Sequence, residues 1–247
     1  MFIYRVAFQG KSYWAKSEDD QALLLDWNLE EAARVPLQEV QTLPLLRPGK
    51  VVCVGLNYYA HALEMDKAVP QEPLLFLKPG SAVIEHGQPI RLPAQSDEVH
   101  YEGELAVVIG RLSRNVTEGQ AARHVLGYTC ANDVTARDLQ KKDVQYSRAK
   151  SFDTFCPLGP GIETKIEAFR EARITTWVNG GSVQSGLVSD MIVSPLALVA
   201  FISEVMTLHP GDVILTGTPP GVGPLKSGDE VCVDIEGIGR LCNPVVG

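Results

Sequence analysis

In the run His100-Tyr101-Glu102-Gly103-Glu104-Leu105-Ala106-Val107-Val108-Ile109, two carboxylates stand two residues apart at the head of an apolar stretch. Side chains alternate along a strand, so Glu102, Glu104, Ala106 and Val108 share one face, and Leu105, Val107 and Ile109 share the other. Both faces turn apolar, which marks a strand buried on both sides. Two carboxylates entering a core side by side repel each other and lose hydration, and a cation resolves both costs. Asp133 supplies a third carboxylate at the end of the apolar run Tyr128 to Asp133, where a strand leads into a loop. Three carboxylates with no His or Cys make a hard, oxygen-only site, suited to Mg²⁺, Mn²⁺ or Ca²⁺ rather than Zn²⁺, with room left for water and a chelating substrate. The E-x-E spacing alone is a weak signal. The competing reading makes Glu102 and Glu104 a solvated strand start and Asp133 a helix cap.

A metal that chelates an anion needs fixed cations nearby. Arg137 and Gln140 are three apart on the helix expected after Asp133, so they share a face. Lys78, ending the run LLFLK, and Lys150, in Ala149-Lys150-Ser151-Phe152, have neighbours that read as buried, and a buried Lys usually has a partner. His61 and Glu64 are i and i+3 on a possible helical turn, where a carboxylate-paired His can act as a general base on water. Thr218, in Thr216-Gly217-Thr218-Pro219-Pro220-Gly221, could donate its hydroxyl to a carboxylate, although Pro and Gly explain a tight turn there without function. The glycines do not fit a phosphate-binding P-loop.

The elements that must position these residues are mostly strands. Phe2 to Phe8, Lys50 to Asn57, Leu74 to Lys78, Glu104 to Ile109, Leu126 to Asn132, Ile174 to Val178, Val213 to Gly217 and Val231 to Glu236 suit short strands, and Asn179-Gly180 is a hairpin turn signal. Helices are expected across Asp19 to Arg34, from a Thr117 cap to about Val125 with Gly127 as its stop, from a Thr135 cap to Lys142, and from Ser194-Pro195 to Pro210-Gly211, the last apolar nearly all round and expected to be buried. Without a regular β-α-β alternation, this pattern reads as α+β and strand-rich. Pro44, Pro48 and Gly49 mark a boundary, so residues 1–46 are expected as a small N-terminal appendage and residues 47–247 as the catalytic domain.

Composition narrows the partners. The 247 residues are 45% hydrophobic and 21% charged with a formal net charge of −8, which suits a globular chain and argues against nucleic acid. No basic leader with an apolar run and no stretch of membrane-spanning length is visible. A core of this size needs no disulfide staples; the five scattered cysteines include no C-x-x-C pair, most read as small buried hydrophobes, and that usage fits a reducing, cytoplasmic compartment.

In this order, the segments VGLNYYAHALEM, EPLLFLKP, HYEGEL, CANDVTARDLQ, AKSFDTFCPLGP, LTGTPPGVGP and EGIGRLCNPV resemble the fumarylacetoacetate hydrolase superfamily over about residues 48 to 247. The likeness is closest to its small members: acylpyruvate and fumarylpyruvate hydrolases, oxaloacetate decarboxylases and the isomerase/decarboxylases of homoprotocatechuate breakdown. The resemblance implies the family's mixed β-sandwich roll, usually in a homodimer. It implies Mg²⁺ or Mn²⁺ on Glu102, Glu104 and Asp133, water activation by His61 and Glu64, and a 2-oxo acid or its enolate held by Lys150, Arg137, Gln140 and Thr218. Lys78 matches a recurring family lysine. Two departures stand out. Asp97 is too close to Glu102 to equate with the fourth metal ligand of larger members, and Val144 falls near the place of a substrate-binding Tyr.

The resulting expectation is a divalent-metal enzyme acting on a small 2-oxo (2,4-dioxo) acid through a stabilised enolate. It would most simply be hydrolytic C–C cleavage of an acylpyruvate or fumarylpyruvate in aromatic-compound catabolism. The same enolate serves 2-hydroxyhepta-2,4-diene-1,7-dioate isomerisation and the decarboxylation of 5-carboxymethyl-2-oxo-hex-3-ene-1,7-dioate or oxaloacetate. Two rivals from other classes are a Ca²⁺-stabilised binding module without turnover and a purely structural protein indifferent to metal.

Overall fold

The computed structural model describes residues 1–26, 28–165 and 169–247. Its largest sheet runs in the order Glu31–Pro36, Gln21–Leu25, Lys11–Glu18, Phe2–Phe8, Cys156–Glu163, Val125–Asn132, Gly103–Ile109, Val213–Leu215, Val51–Gly55 and Leu74–Lys78. Most neighbours are antiparallel, but Val213–Leu215 runs parallel to Val51–Gly55, so the sheet is mixed. A second sheet orders Gly181–Leu187, Arg173–Val178, Glu230–Ile235, Gly239–Val246 and Ile90–Arg91. This is the strand-rich α+β architecture expected of strands without a regular β-α-β alternation, with the mixed sheets of the roll that the resemblance implies.

The Gly103–Ile109 strand is buried along its whole length. Leu105, Val107 and Ile109 join Ile174, Val233 and Ile235 of the second sheet and Leu198 and Ile202 of the helix Pro195–Val205. Ala106 and Val108 face the opposite core, with Val51, Cys53, Val213, Leu215 and Ile3. The strand is therefore the wall between two cores, and its polar end is where a site can open.

Several local expectations give way. The stretch Asp19 to Arg34 is not helical: Gln21–Leu25 and Glu31–Pro36 are strands. Ala22, Leu23, Leu24 and Leu25 are all buried, as a strand covered on both faces requires, and Asp19 at φ 52° makes the preceding turn. Trp27, within that stretch, lies outside the described residues. The helix after Thr117 is short, Glu118–Ala121 followed by a 3₁₀ turn, and Gly127 is not its stop but a strand residue on which a Cβ would strike the Glu163 carbonyl. Thr135 sits in a bridging strand rather than capping; the helix begins at Arg137. The helix Pro195–Val205 is buried on one face only, for Val205 is 56% exposed. Cys232 and Cys242 are opposite each other in a hairpin register and form a disulfide, which corrects the expectation of a chain without disulfide staples; Cys53, Cys130 and Cys156 are free and buried. Among the described residues, no helix is long and apolar enough to cross a membrane.

Candidate active site

Glu102 sits at an interruption between the strands Val99–Tyr101 and Gly103–Ile109. Its N–H donates to the Asn132 side chain at 3.0 Å, and its carbonyl accepts the Asp133 N–H at 2.8 Å. This cross-strand pairing brings Asp133 beside the two glutamates, although it is 29 residues from Glu104 in sequence. Each of Glu102, Glu104 and Asp133 offers a carboxylate oxygen, and these oxygens lie within 4.8 Å of one another, all on buried residues.

Three cations converge on the cluster. Lys150 Nζ donates to Glu102 Oε2 at 2.8 Å and to Asp133 Oδ2 at 2.7 Å, and it sits 4.9 Å from the centre of the Phe76 ring. Arg137 Nη2 donates to Glu102 Oε1, and its Nη1 donates to Gln140 Oε1 at 2.5 Å. Lys78 Nζ donates to Asp133 Oδ1 at 2.5 Å and to the Val134 carbonyl at 3.0 Å. Burial opposes ionisation of Glu102, but Lys150 and Arg137 beside it hold its carboxyl well below the usual range. Burial likewise works against the Lys150 ammonium, yet Asp133 and Glu102 beside it raise its pKa above the ordinary lysine value.

Glu104 differs. It has no ammonium or guanidinium partner among the described residues, only the Gly217 N–H on Oε2 at 2.7 Å. Burial, and then the charges of Asp133 and Glu102, push its pKa well above the ordinary carboxylate value. A buried acid left short of positive charge in an oxygen-only donor set is what a divalent cation would relieve, so the residues present fit Mg²⁺ or Mn²⁺.

Over the cluster lies the helix Tyr59–Glu64. Asn57 anchors its start by donating to the Val193 and Thr216 carbonyls at 2.9 and 2.8 Å. His61 Nδ1 meets Glu64 Oε2 at 2.9 Å, the contact their i, i+3 spacing allows, and Glu64 Oε1 accepts the Gly221 N–H at 2.8 Å. His61, the three carboxylates, Arg137, Gln140, Lys150 and Thr218 all line one cavity of about 40 Å³.

Two expected substrate contacts are placed otherwise. Lys78 is off the cavity wall, its ammonium consumed behind Asp133. Thr218 lines the cavity, but its hydroxyl donates to the Gly103 carbonyl at 2.9 Å and accepts from Gln184 Nε2 at 2.8 Å, so it is not free for a substrate carboxylate. Val144 points away at 93% exposure, whereas Tyr146, two residues on, lines the cavity and packs edge-on against Phe76 at 5.6 Å. Tyr146 stands two residues from the place at which the resemblance puts a substrate-binding tyrosine, a signal that equating that place with Val144 obscures.

A family model, Fumarylacetoacetate (FAA) hydrolase C-terminal, matches residues 50–246. The chain belongs to the fumarylacetoacetate hydrolase family. An oxaloacetate tautomerase of Xenopus laevis mitochondria is 46% identical over 82% of this chain and 67% of its own length. A crystal structure of 5-carboxymethyl-2-hydroxymuconate delta-isomerase from Mycobacterium smegmatis superposes with a TM-score of 0.87 at 46% identity, covering 100% of this chain and 98% of the other. Fumarylpyruvate hydrolase from Pseudomonas aeruginosa, in complex with Mn²⁺ and pyruvate, is 34% identical with a TM-score of 0.77, covering 83% and 91%. Family membership accounts for the shared fold and for the occurrence of small-acid enzymes among these relatives.

Proposed function

We propose that the chain is a divalent-metal-dependent enzyme that interconverts the enol and keto forms of a small 2-oxo dicarboxylic acid of oxaloacetate size, with Glu102, Glu104 and Asp133 as the metal ligands. The observation that carries this reading is the placement of His61, backed by Glu64, in the same small cavity as the carboxylate cluster and its buried cations. With Nδ1 engaged by Glu64, Nε2 is the nitrogen left to exchange a proton, and it makes no hydrogen bond among the described residues. His61 takes the proton from the carbon next to the 2-oxo group, the electron pair moves to the 2-oxo oxygen, and the proton is returned to oxygen or carbon. Lys150, fixed and charged, stabilises the negative charge that builds on that oxygen. When bound, Mg²⁺ or Mn²⁺ supplies Lewis-acid polarisation of the 2-oxo group. Arg137 uses one hydrogen on each of Nη1 and Nη2, for Gln140 and Glu102, which leaves further guanidinium N–H donors for a substrate carboxylate oxygen.

Two features support this reading, one from the cavity and one from the reactions named for the relatives. The space beside the carboxylates is small, about 40 Å³, and is lined by Arg137, Gln140 and Lys150, which suits the compact 2-oxo acid end of a substrate. The relatives named as tautomerase and isomerase are more similar to this chain than the named hydrolase. The second reading, hydrolytic cleavage of an acylpyruvate or fumarylpyruvate, is favoured by the His61–Glu64 pair, which could equally deprotonate water.

The test is an ultraviolet absorbance assay on the enol forms of oxaloacetate, acetylpyruvate and fumarylpyruvate, with Mn²⁺ and with EDTA. EDTA-sensitive ketonisation of oxaloacetate, lost in His61→Ala while Mn²⁺ affinity is kept, is expected. Cleavage of an acylpyruvate with no ketonisation would replace the first reading by the second. Turnover insensitive to EDTA would overturn both.

A further inference from the structure

Glu102 and Glu104 flank a residue with no side chain, so no side chain packs the strand between them, and on the side away from Asn132 and Asp133 its roll is set by what holds the Gly103 peptide groups. Both groups are held. The Gly103 N–H donates to Gln184 Oε1 at 3.0 Å, Gln184 Nε2 donates to Thr218 Oγ1 at 2.8 Å, and Thr218 Oγ1 donates to the Gly103 carbonyl at 2.9 Å. The three bonds close a ring. The second amide hydrogen of Gln184 goes to the Pro219 carbonyl at 2.7 Å. Gln184 is 2% exposed and comes from the Gly181–Leu187 strand of the second sheet, an element that contributes nothing to the cavity wall.

We propose that Gln184 is a positioning residue: it sets the spacing of the Glu102 and Glu104 carboxylates by clamping the Gly103 backbone and tying it to the Thr218-Pro219 loop. Resting on the metal-site reading above, this says what keeps two mutually repelling carboxylates aimed at one point. A buried amide with both donors and its acceptor used cannot rotate without leaving a polar group unpaired. Its hydrogen bonds therefore transmit rigidity from the second sheet to the ligands, as groups behind a metal's own ligands commonly do.

The test titrates Mn²⁺ into the full-length protein, following the electron paramagnetic resonance signal of free Mn²⁺, alongside thermal melting in EDTA. Gln184→Met, of similar volume but without hydrogen bonds, is expected to weaken Mn²⁺ binding by about 10-fold or more. Thr218→Val opens the same ring from the other side and is expected to weaken binding as well, while Thr218→Ser, which keeps the hydroxyl, restores it. A merely structural Gln184 would lower the melting temperature in EDTA and leave the Mn²⁺ dissociation constant of the folded protein unchanged, which overturns the proposal. If Gln184→Met does not fold, the Thr218 pair decides: equal Mn²⁺ affinity in the Val and Ser variants overturns it. A wild-type chain that takes up no Mn²⁺ overturns the metal reading itself, and this inference with it.

Discussion

At the scale of single residues, the centre of the site is defined as much by an absence as by charges. A Cβ on Gly103 would overlap the Thr176 hydroxyl and crowd Val233. Gly103→Ala should therefore destabilise the fold by about 3 kcal/mol or more, the range of overpacking and cavity changes in cores. Thr176 Oγ1 is buried with no hydrogen-bond partner among the described residues, so Thr176→Ala removes a group whose burial is already costly. Adding Thr176→Ala to Gly103→Ala should recover much of the loss in chemical denaturation, and a strictly additive double variant would show that the clash is not with this hydroxyl. The same residues mark the limit of sequence reading. Glu102, Glu104 and the His61–Glu64 pair were legible because strand and helix periodicity places side chains within a few residues of each other. Gln184 was not, because it reaches Gly103 across 81 positions of sequence and two sheets. Lys78 and Lys150 were legible as buried, but their partners were not, for the same reason.

At the scale of elements, what the sequence makes plain depends on how much the local pattern decides. The Asn179-Gly180 turn and the Leu74–Lys78 strand carry their own signals and form as expected. The Asp19 to Arg34 stretch does not: its acidic residues look like helix surface, yet three consecutive leucines are buried by strands on either side. The short helix Arg137–Lys142, which carries Arg137 and Gln140 to the cavity, is held by Asp138. Asp138 accepts hydrogen bonds from Ser96 Oγ at 2.5 Å and from the backbone N–H groups of Asp97 and Leu139 at 3.1 and 2.8 Å. Burial works against its ionisation, but these donors lower its pKa below 3.8. A depressed carboxylate contributes stability that is present above its unfolded pKa and is lost as pH falls through the folded value. Asp138→Ala should then cost roughly 1 kcal/mol at neutral pH, the site being only partly buried. The gap to wild type should close below about pH 4. Thermal melts across pH check this, and a gap that persists at the lowest pH would mean that Asp138 acts by packing rather than by charge.

At the scale of the whole molecule, the boundary after residue 46 poses a question of cooperativity. The first four strands pair with one another and reach the rest of the large sheet through Phe2 and Ile3, which register with Glu163 and Ile162. Ile3 is fully buried, and with Leu25, Leu45 and Leu46 it packs into the core that also holds Ala106 and Val108 of the carboxylate-bearing strand. An appendage that merely decorates the family domain would open alone. A shared core instead couples the N-terminal strands to the wall of the site, and we propose that the two parts unfold together. Ile3→Ala should cost about 3 kcal/mol. In urea it should shift one single transition, and it should speed hydrogen exchange in the Gly103–Ile109 strand as well as in the first four strands. Were exchange to quicken only before residue 46, with the Gly103–Ile109 strand still protected as in wild type, the N-terminal segment would be an independent unit, and its packing against Ala106 and Val108 would contribute little to holding the site.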